Sequence, residues 1–249
     1  MTSIALITGA NKGIGYEIAR GLGTAGYTVL LGARDTERGT AAATALAADG
    51  LDVRYVQLDV TDPASVAAAA KHIDNEYAHL DVLVNNAGIA RADGDERALD
   101  PAAWAPSGQS VDSIRAVFEV NVFGLVTVTN AMLPLIRKAE AGRIVNVASE
   151  VGSFGLSLDQ SSPYWSLVSI GYPVSKTAVN MITVQYAKEL WDTPIKVNSV
   201  CPGYTATDLN GKSGFKTPED GARVAVRLAQ IGADGPTAQF FNEDGPLPW

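Results

Sequence analysis

The amino-acid sequence predicts an α/β chain: one doubly wound domain over residues 1–249, with a parallel sheet of about seven strands in the order 3-2-1-4-5-6-7 and helices on both faces. Three observations lead there. Short continuous runs rich in Val, Ile and Leu recur along the chain. Stretches of helical periodicity separate them. Glycines and polar residues collect just after the runs, and an open parallel sheet binds ligands beyond the carboxyl ends of its strands. With these features the arrangement is of Rossmann type.

The first strand, Ile4–Thr8, runs into Gly9-Ala10-Asn11-Lys12-Gly13-Ile14-Gly15 and a helix over Gly15–Ala25. Glycines between a strand and a helix let backbone N–H groups approach a pyrophosphate. The spacing is Gly-x-x-x-Gly-x-Gly rather than the commoner Gly-x-Gly-x-x-Gly. The second strand, Thr28–Ala33, ends beside Arg34 and Asp35, before a helix over Thr36–Asp49. An acid at this point serves a free ribose and a cation serves a 2′-phosphate. Ala33 stands where the acid is expected, Arg34 adjoins it and Lys12 is within reach, so NADP(H) is favoured; Asp35 serves a ribose if the register shifts. The third strand, Val53–Leu58, leads to Asp59-Val60. Asp59 either accepts from an adenine amino group or caps the next turn, and Asp62 before Pro63 is the better cap for the helix Ala64–Ala78.

The fourth strand, Val82–Asn85, ends in Asn85-Asn86-Ala87-Gly88. Paired asparagines can tie strands together, and the small residues leave room for a cofactor. Asn121 lies inside an apolar helix, Val111–Lys138, where a buried amide needs partners; structural and functional roles are equally open. The fifth strand, Arg143–Ala148, delivers Ser149, either a cap or a donor to a substrate carbonyl. The helix Pro173–Trp191 carries Tyr172 and Lys176 at its start. Four residues apart on a helix, two side chains share one face, about 5–6 Å apart at Cβ, and an ammonium beside a phenol lowers its pKa. The sixth strand, Ile195–Val200, ends in Cys201-Pro202-Gly203, a turn, then Thr205 and Thr207, which can meet a cofactor's amide and phosphates; Cys201, with no base beside it, is a small buried hydrophobe. A helix over Pro218–Ile231 and a seventh strand over Thr237–Phe241 complete the pattern. Ala90–Ser110 and Val151–Gly171 break the rhythm as long loops, which tend to be functional.

The totals narrow the function. A net charge of −8 without a basic run argues against nucleic acid or an acidic membrane as partner. No unbroken apolar run of membrane-spanning length is present, and the N-terminus carries no basic segment or cleavage site, which favours a cytoplasmic location. A single cysteine precludes an internal disulfide, and His72 and His79 lack companion ligands for a metal.

Taken in order, the Gly9–Gly15 motif, Asn85-Asn86-Ala87-Gly88, Asn121, Ser149, Tyr172-x-x-x-Lys176 and Pro202-Gly203 resemble the short-chain dehydrogenase/reductase family, over residues 2 to about 241. The motif Gly9–Gly15, with Gly32 to Gly39, is similar to the NADPH-dependent carbonyl reductases. The resemblance implies that Tyr172 protonates a ketone or aldehyde oxygen while the nicotinamide delivers hydride. It implies that Lys176 lowers the phenol pKa and holds the nicotinamide ribose, that Ser149 hydrogen-bonds the developing alkoxide, and that Asn121 holds a relay water. Ser149 and Tyr172 are farther apart here than in the shortest members, and Ser161–Trp165 is expected at the substrate pocket. Because a longer insertion in the carbonyl reductases covers the dimerising helix, monomer, dimer and tetramer stay open. The alternatives are an NAD(H)-linked alcohol or steroid dehydrogenase and, from another class, a non-catalytic NADP(H)-sensing protein.

Overall fold

The computed structural model describes residues 2–92 and 104–249. All the strands it contains join one sheet. They are β1 (Ile4–Thr8), β2 (Thr28–Ala33), β3 (Val53–Gln57), β4 (Val82–Asn85), β5 (Arg143–Val147), β6 (Lys196–Val200), β7 (Phe240–Phe241) and β8 (Pro246–Leu247). Their spatial order is β3-β2-β1-β4-β5-β6-β7-β8, so the first seven follow the expected order. They pair in parallel, whereas β8 returns antiparallel along β7. This eighth strand was not expected: it is two residues long and begins with Pro246, which lacks a ladder donor. The seventh is shorter than expected because Ala238 takes a left-handed φ of 55°, which breaks an extended chain.

The helices are α1 (Gly13–Thr24), α2 (Thr36–Ala48), α3 (Pro63–Tyr77), α4 (Val111–Ile136), α5 (Phe154–Ser157), α6 (Gly171–Glu189) and α7 (Pro218–Ala229). The period-2 geometry of β1 shows why both faces must be covered. Ala5 and Ile7 join one core with Ile18, Leu22 and Leu228, from α1 and α7. Ile4 and Leu6 join the opposite core with Ile73, Met132 and Leu190, from α3, α4 and the end of α6. Burying one such side chain contributes about 1.5–3 kcal/mol. By length and composition α4 could cross a membrane, yet it buries Val128, Met132 and Ile136 in that second core. Its middle, Glu119–Gly124, is a π-helical turn, a feature that hydrophobic periodicity does not reveal.

Candidate active site

The phosphate loop begins where β1 ends. Gly9 has φ 63°, and a Cβ there would lie 3.0 Å from Ala87 Cα, so only glycine lets the ends of β1 and β4 come this close. Thr8 Oγ1 accepts from the Asn86 and Ala87 N–H groups, both at 3.0 Å, and Asn86 Nδ2 donates to the Thr8 and Gly9 carbonyls. Asn86 is thus the asparagine that ties β4 to β1. Asn85 differs from the expectation of cofactor contact. Its side chain turns into the protein, donating to Thr129 Oγ1 at 3.0 Å and Asn146 Oδ1 at 2.9 Å.

At the end of β2, Ala33 is buried and Arg34 exposed. Asp35 accepts from the Arg38 N–H at 2.9 Å and caps α2, so its carboxylate has a structural use in place of a ribose. Asp59 accepts from the Thr61 N–H and hydroxyl, while Asp62 caps α3 as expected. Val60 packs against the π turn of α4: a Cβ on Gly124 would sit 2.9 Å from Val60 Cγ2. Asn11, Gly13 and Ile14 are half-buried in the loop, and the exposed Lys12 pairs with Asp208 at 2.7 Å.

Two of the catalytic candidates, Asn121 and Lys176, meet at Gly88. A Cβ on Gly88 would lie 3.3 Å from Asn121 Oδ1 and 3.4 Å from Lys176 Nζ. Asn121, in the π turn, accepts from Ile89 N–H at 2.8 Å and donates to the Ile89 carbonyl and to Ser175 Oγ, at 2.9 and 3.0 Å. The side chain therefore locks the loop after β4 to α6. Lys176 Nζ donates to the Val147 carbonyl at 2.8 Å and lies 5.5 Å from the centre of the Tyr172 ring. Gly152 packs directly on the α6 backbone; a Cβ there would sit 2.6 Å from the Lys176 carbonyl carbon.

α6 begins at Gly171, so Pro173 falls in its first turn, where its missing N–H costs nothing. Gln109 caps this end. Its Oε1 accepts from the Ile170 and Gly171 N–H groups, at 2.6 and 3.0 Å. A glutamine distant in sequence carries no local capping signal, which is why the sequence did not single it out.

The electrostatics correct one expectation. Burial pushes the Tyr172 phenol pKa up, with Cys201 adding to it, and a hydrogen bond with Ser149 opposes the rise. Lys176 does not dominate the phenol; burial lowers its own ammonium to about 8. Cys201 is buried and pushed up to about 12, chiefly by burial, and its sulfur accepts from the Glu150 and Gly203 N–H groups, at 3.2 and 3.3 Å. It organises two turns.

After β6, Pro202 and Gly203 turn the chain as expected, with Gly203 at φ 75°. Thr205 is buried, and its hydroxyl turns back onto the Pro202 and Gly203 carbonyls, so the side chain expected at the cofactor is engaged in the turn. Thr207 faces the phosphate loop, its Cγ2 lying 3.5 Å from where a Cβ on Gly13 would be. In the insertion after β5, the Tyr164 phenol interacts with the Glu150 carboxylate, to which Asn242 Nδ2 donates at 3.1 Å. Val151, Tyr164, Trp165, Leu167, Val168 and Pro173 help line a cavity of about 210 Å³ at the first turn of α6. Of the other long loop, Ala90–Ser110, residues 93–103 lie outside the described residues, and Pro106 reaches the cavity wall.

A family model described as short chain dehydrogenase matches residues 3–217. Short-chain dehydrogenase anuI of Penicillium roqueforti is 37% identical over 92% of this chain and 89% of its own. Carbonyl reductase (NADPH) 1 of Mus musculus is 34% identical over 99% of this chain and 98% of its own. The structure of salutaridine reductase from Papaver somniferum superposes with a TM-score of 0.81 at 29% identity, covering 97% of this chain and 99% of that one.

Proposed function

The chain belongs to the short-chain dehydrogenase/reductase family of oxidoreductases, and from that premise we propose that it reduces a ketone or aldehyde to an alcohol with NADPH. The observation that carries this reading is the meeting of Asn121 and Lys176 at Gly88, with the Tyr172 ring 5.5 Å from the Lys176 ammonium. The donor set suits a nicotinamide dinucleotide. A glycine-rich loop opens a helix N-terminus, the chain beyond β4 carries the small residues Ala87 and Gly88, and Lys12, Arg34 and Arg38 supply cations at one end. Asp35 is engaged as a helix cap, which weighs for NADPH over NADH.

When bound, the nicotinamide supplies the hydride. Tyr172 supplies the proton: burial keeps its phenol protonated through the neutral range, the form a reduction requires. Ser149 donates to the same carbonyl oxygen and stabilises charge as it develops there. Lys176, held on the Val147 carbonyl, offers its remaining hydrogen-bonding capacity towards the cofactor ribose. Asn121 acts on these groups through Ser175 and the Ile89 loop, as a positioning residue.

The test is NADPH oxidation with a panel of ketones and aldehydes. Replacing a general acid costs about 10²–10⁴ in rate, so Tyr172→Phe should lose at least a hundredfold in kcat while retaining NADPH binding. No carbonyl-dependent loss of nicotinamide absorbance above the Tyr172→Phe control would end the proposal.

A further inference from the structure

Lys12 and Asp208 belong to segments far apart in sequence, the phosphate loop and the short 3₁₀ turn Asp208–Asn210 that follows β6. Their side chains meet at 2.7 Å, although both are more than half exposed. Lys212 and Arg38 also act on this carboxylate, and together with Lys12 they hold its pKa below the ordinary value, the Lys12 hydrogen bond contributing most. One cation thus holds this anion by contact, and two more, from other positions, act on it at longer range. The two segments also touch without the ion pair, through Thr207 against Gly13.

We propose that Asp208 sets the affinity for NADPH by holding Lys12, in competition with the cofactor's 2′-phosphate. The inference rests on the NADPH reading above. A phosphate carries more charge and more acceptor oxygens than a carboxylate, so it wins the lysine and displaces Asp208. Each binding event must then break the ion pair between the phosphate loop and the turn that holds Asp208. Asp208 thus weakens NADPH binding, while NADH, lacking the phosphate, leaves the pair intact.

Dissociation constants are measured by nicotinamide fluorescence for NADPH and NADH, and by calorimetry for adenosine 2′,5′-bisphosphate. The proteins are the wild type, Asp208→Asn, Lys12→Ala and the double variant. An exposed ion pair has a modest worth, so Asp208→Asn should tighten NADPH and the bisphosphate by about two- to fivefold at low salt and leave NADH unchanged. The gain should vanish in the Lys12→Ala background and shrink at high salt. An unchanged NADPH constant in Asp208→Asn, with Lys12→Ala still weakening binding, would overturn the competition. An equal change for NADH would overturn it too, by exposing a general loop effect. If the wild type does not distinguish NADPH from NADH and Lys12→Ala is silent, the NADPH reading itself fails, and this inference with it.

Discussion

The Lys176 ammonium is anchored on the Val147 carbonyl at 2.8 Å, two residues before Ser149, so one hydrogen bond joins α6 to the end of β5. Burial lowers this group to about 8, while an unfolded chain leaves it near its ordinary value of about 10.4. Between those values the unfolded state binds more protons than the folded one, so this lysine makes stability rise with pH from about 8 to about 10.4. Below that window both states are protonated and the buried charge is a constant cost. Lys176→Met should remove the rise. Urea unfolding at pH 7 and pH 10 should show the wild type gaining about 2.5 kcal/mol on the variant, since most of a shift of roughly two units, at 1.4 kcal/mol each, falls between those pH values. Parallel pH dependence in the two proteins would mean that Lys176 titrates in its ordinary range.

Gln109 fixes the start of the helix that carries Tyr172, accepting from the Ile170 and Gly171 N–H groups. Gln109→Leu leaves both donors without this acceptor, a loss comparable to removing a helix cap, about 1–2 kcal/mol. For a chain of this size Tm should fall by about 2–8 °C. Because Tyr172 lies in the first turn, kcat should fall more than KM changes. Gln109→Glu keeps the acceptor and should restore both. An unchanged Tm in Gln109→Leu would remove Gln109 from the cap.

The sequence made the sheet legible because strands covered on both faces read as continuous apolar runs, and the runs Ile4–Thr8, Thr28–Ala33 and Val82–Asn85 match the strands residue for residue. Asn121, Ser149, Tyr172 and Lys176 were legible through their order along the chain. Which way a side chain turns was not. Asn85 and Thr205 stand at strand ends like true ligand contacts, yet each finds a nearer protein partner. Contacts between distant segments, such as Gln109 on α6 or Asp208 on Lys12, have no local pattern to reveal them. The π turn around Asn121 preserves the apolar composition of a helix and changes only its pitch.

Asn85 belongs to a buried polar chain that crosses the sheet. Asn85 Nδ2 donates to Asn146 Oδ1 at 2.9 Å, Asn146 Nδ2 to Thr183 Oγ1 at 2.8 Å, and the Thr183 and Ser199 hydroxyls lie 2.8 Å apart. Asn146→Ala strands a donor on one side and an acceptor on the other, each costing about 1–3 kcal/mol when buried. The urea midpoint should fall by an amount equivalent to about 2–4 kcal/mol, with kcat/KM nearly intact at temperatures where the variant stays folded. A midpoint within error of the wild type would mean that the chain contributes nothing net.

Tyr164 sets the last prediction, on the substrate side. Its phenol is pushed up first by burial and then by Glu150, so it stays neutral throughout the working range. It lines the cavity together with Pro173 of α6, and Glu150 is braced from behind by Asn242. Tyr164→Phe keeps the apolar wall and removes only the hydroxyl. With any carbonyl substrate that the panel identifies, KM should rise by a few fold, because losing the hydroxyl frees Glu150 and loosens this wall of the cavity, while kcat stays within about twofold. A kcat loss as large as that of Tyr172→Phe would instead make Tyr164 part of the proton-donating machinery, and equal kcat and KM in variant and wild type would place the substrate elsewhere.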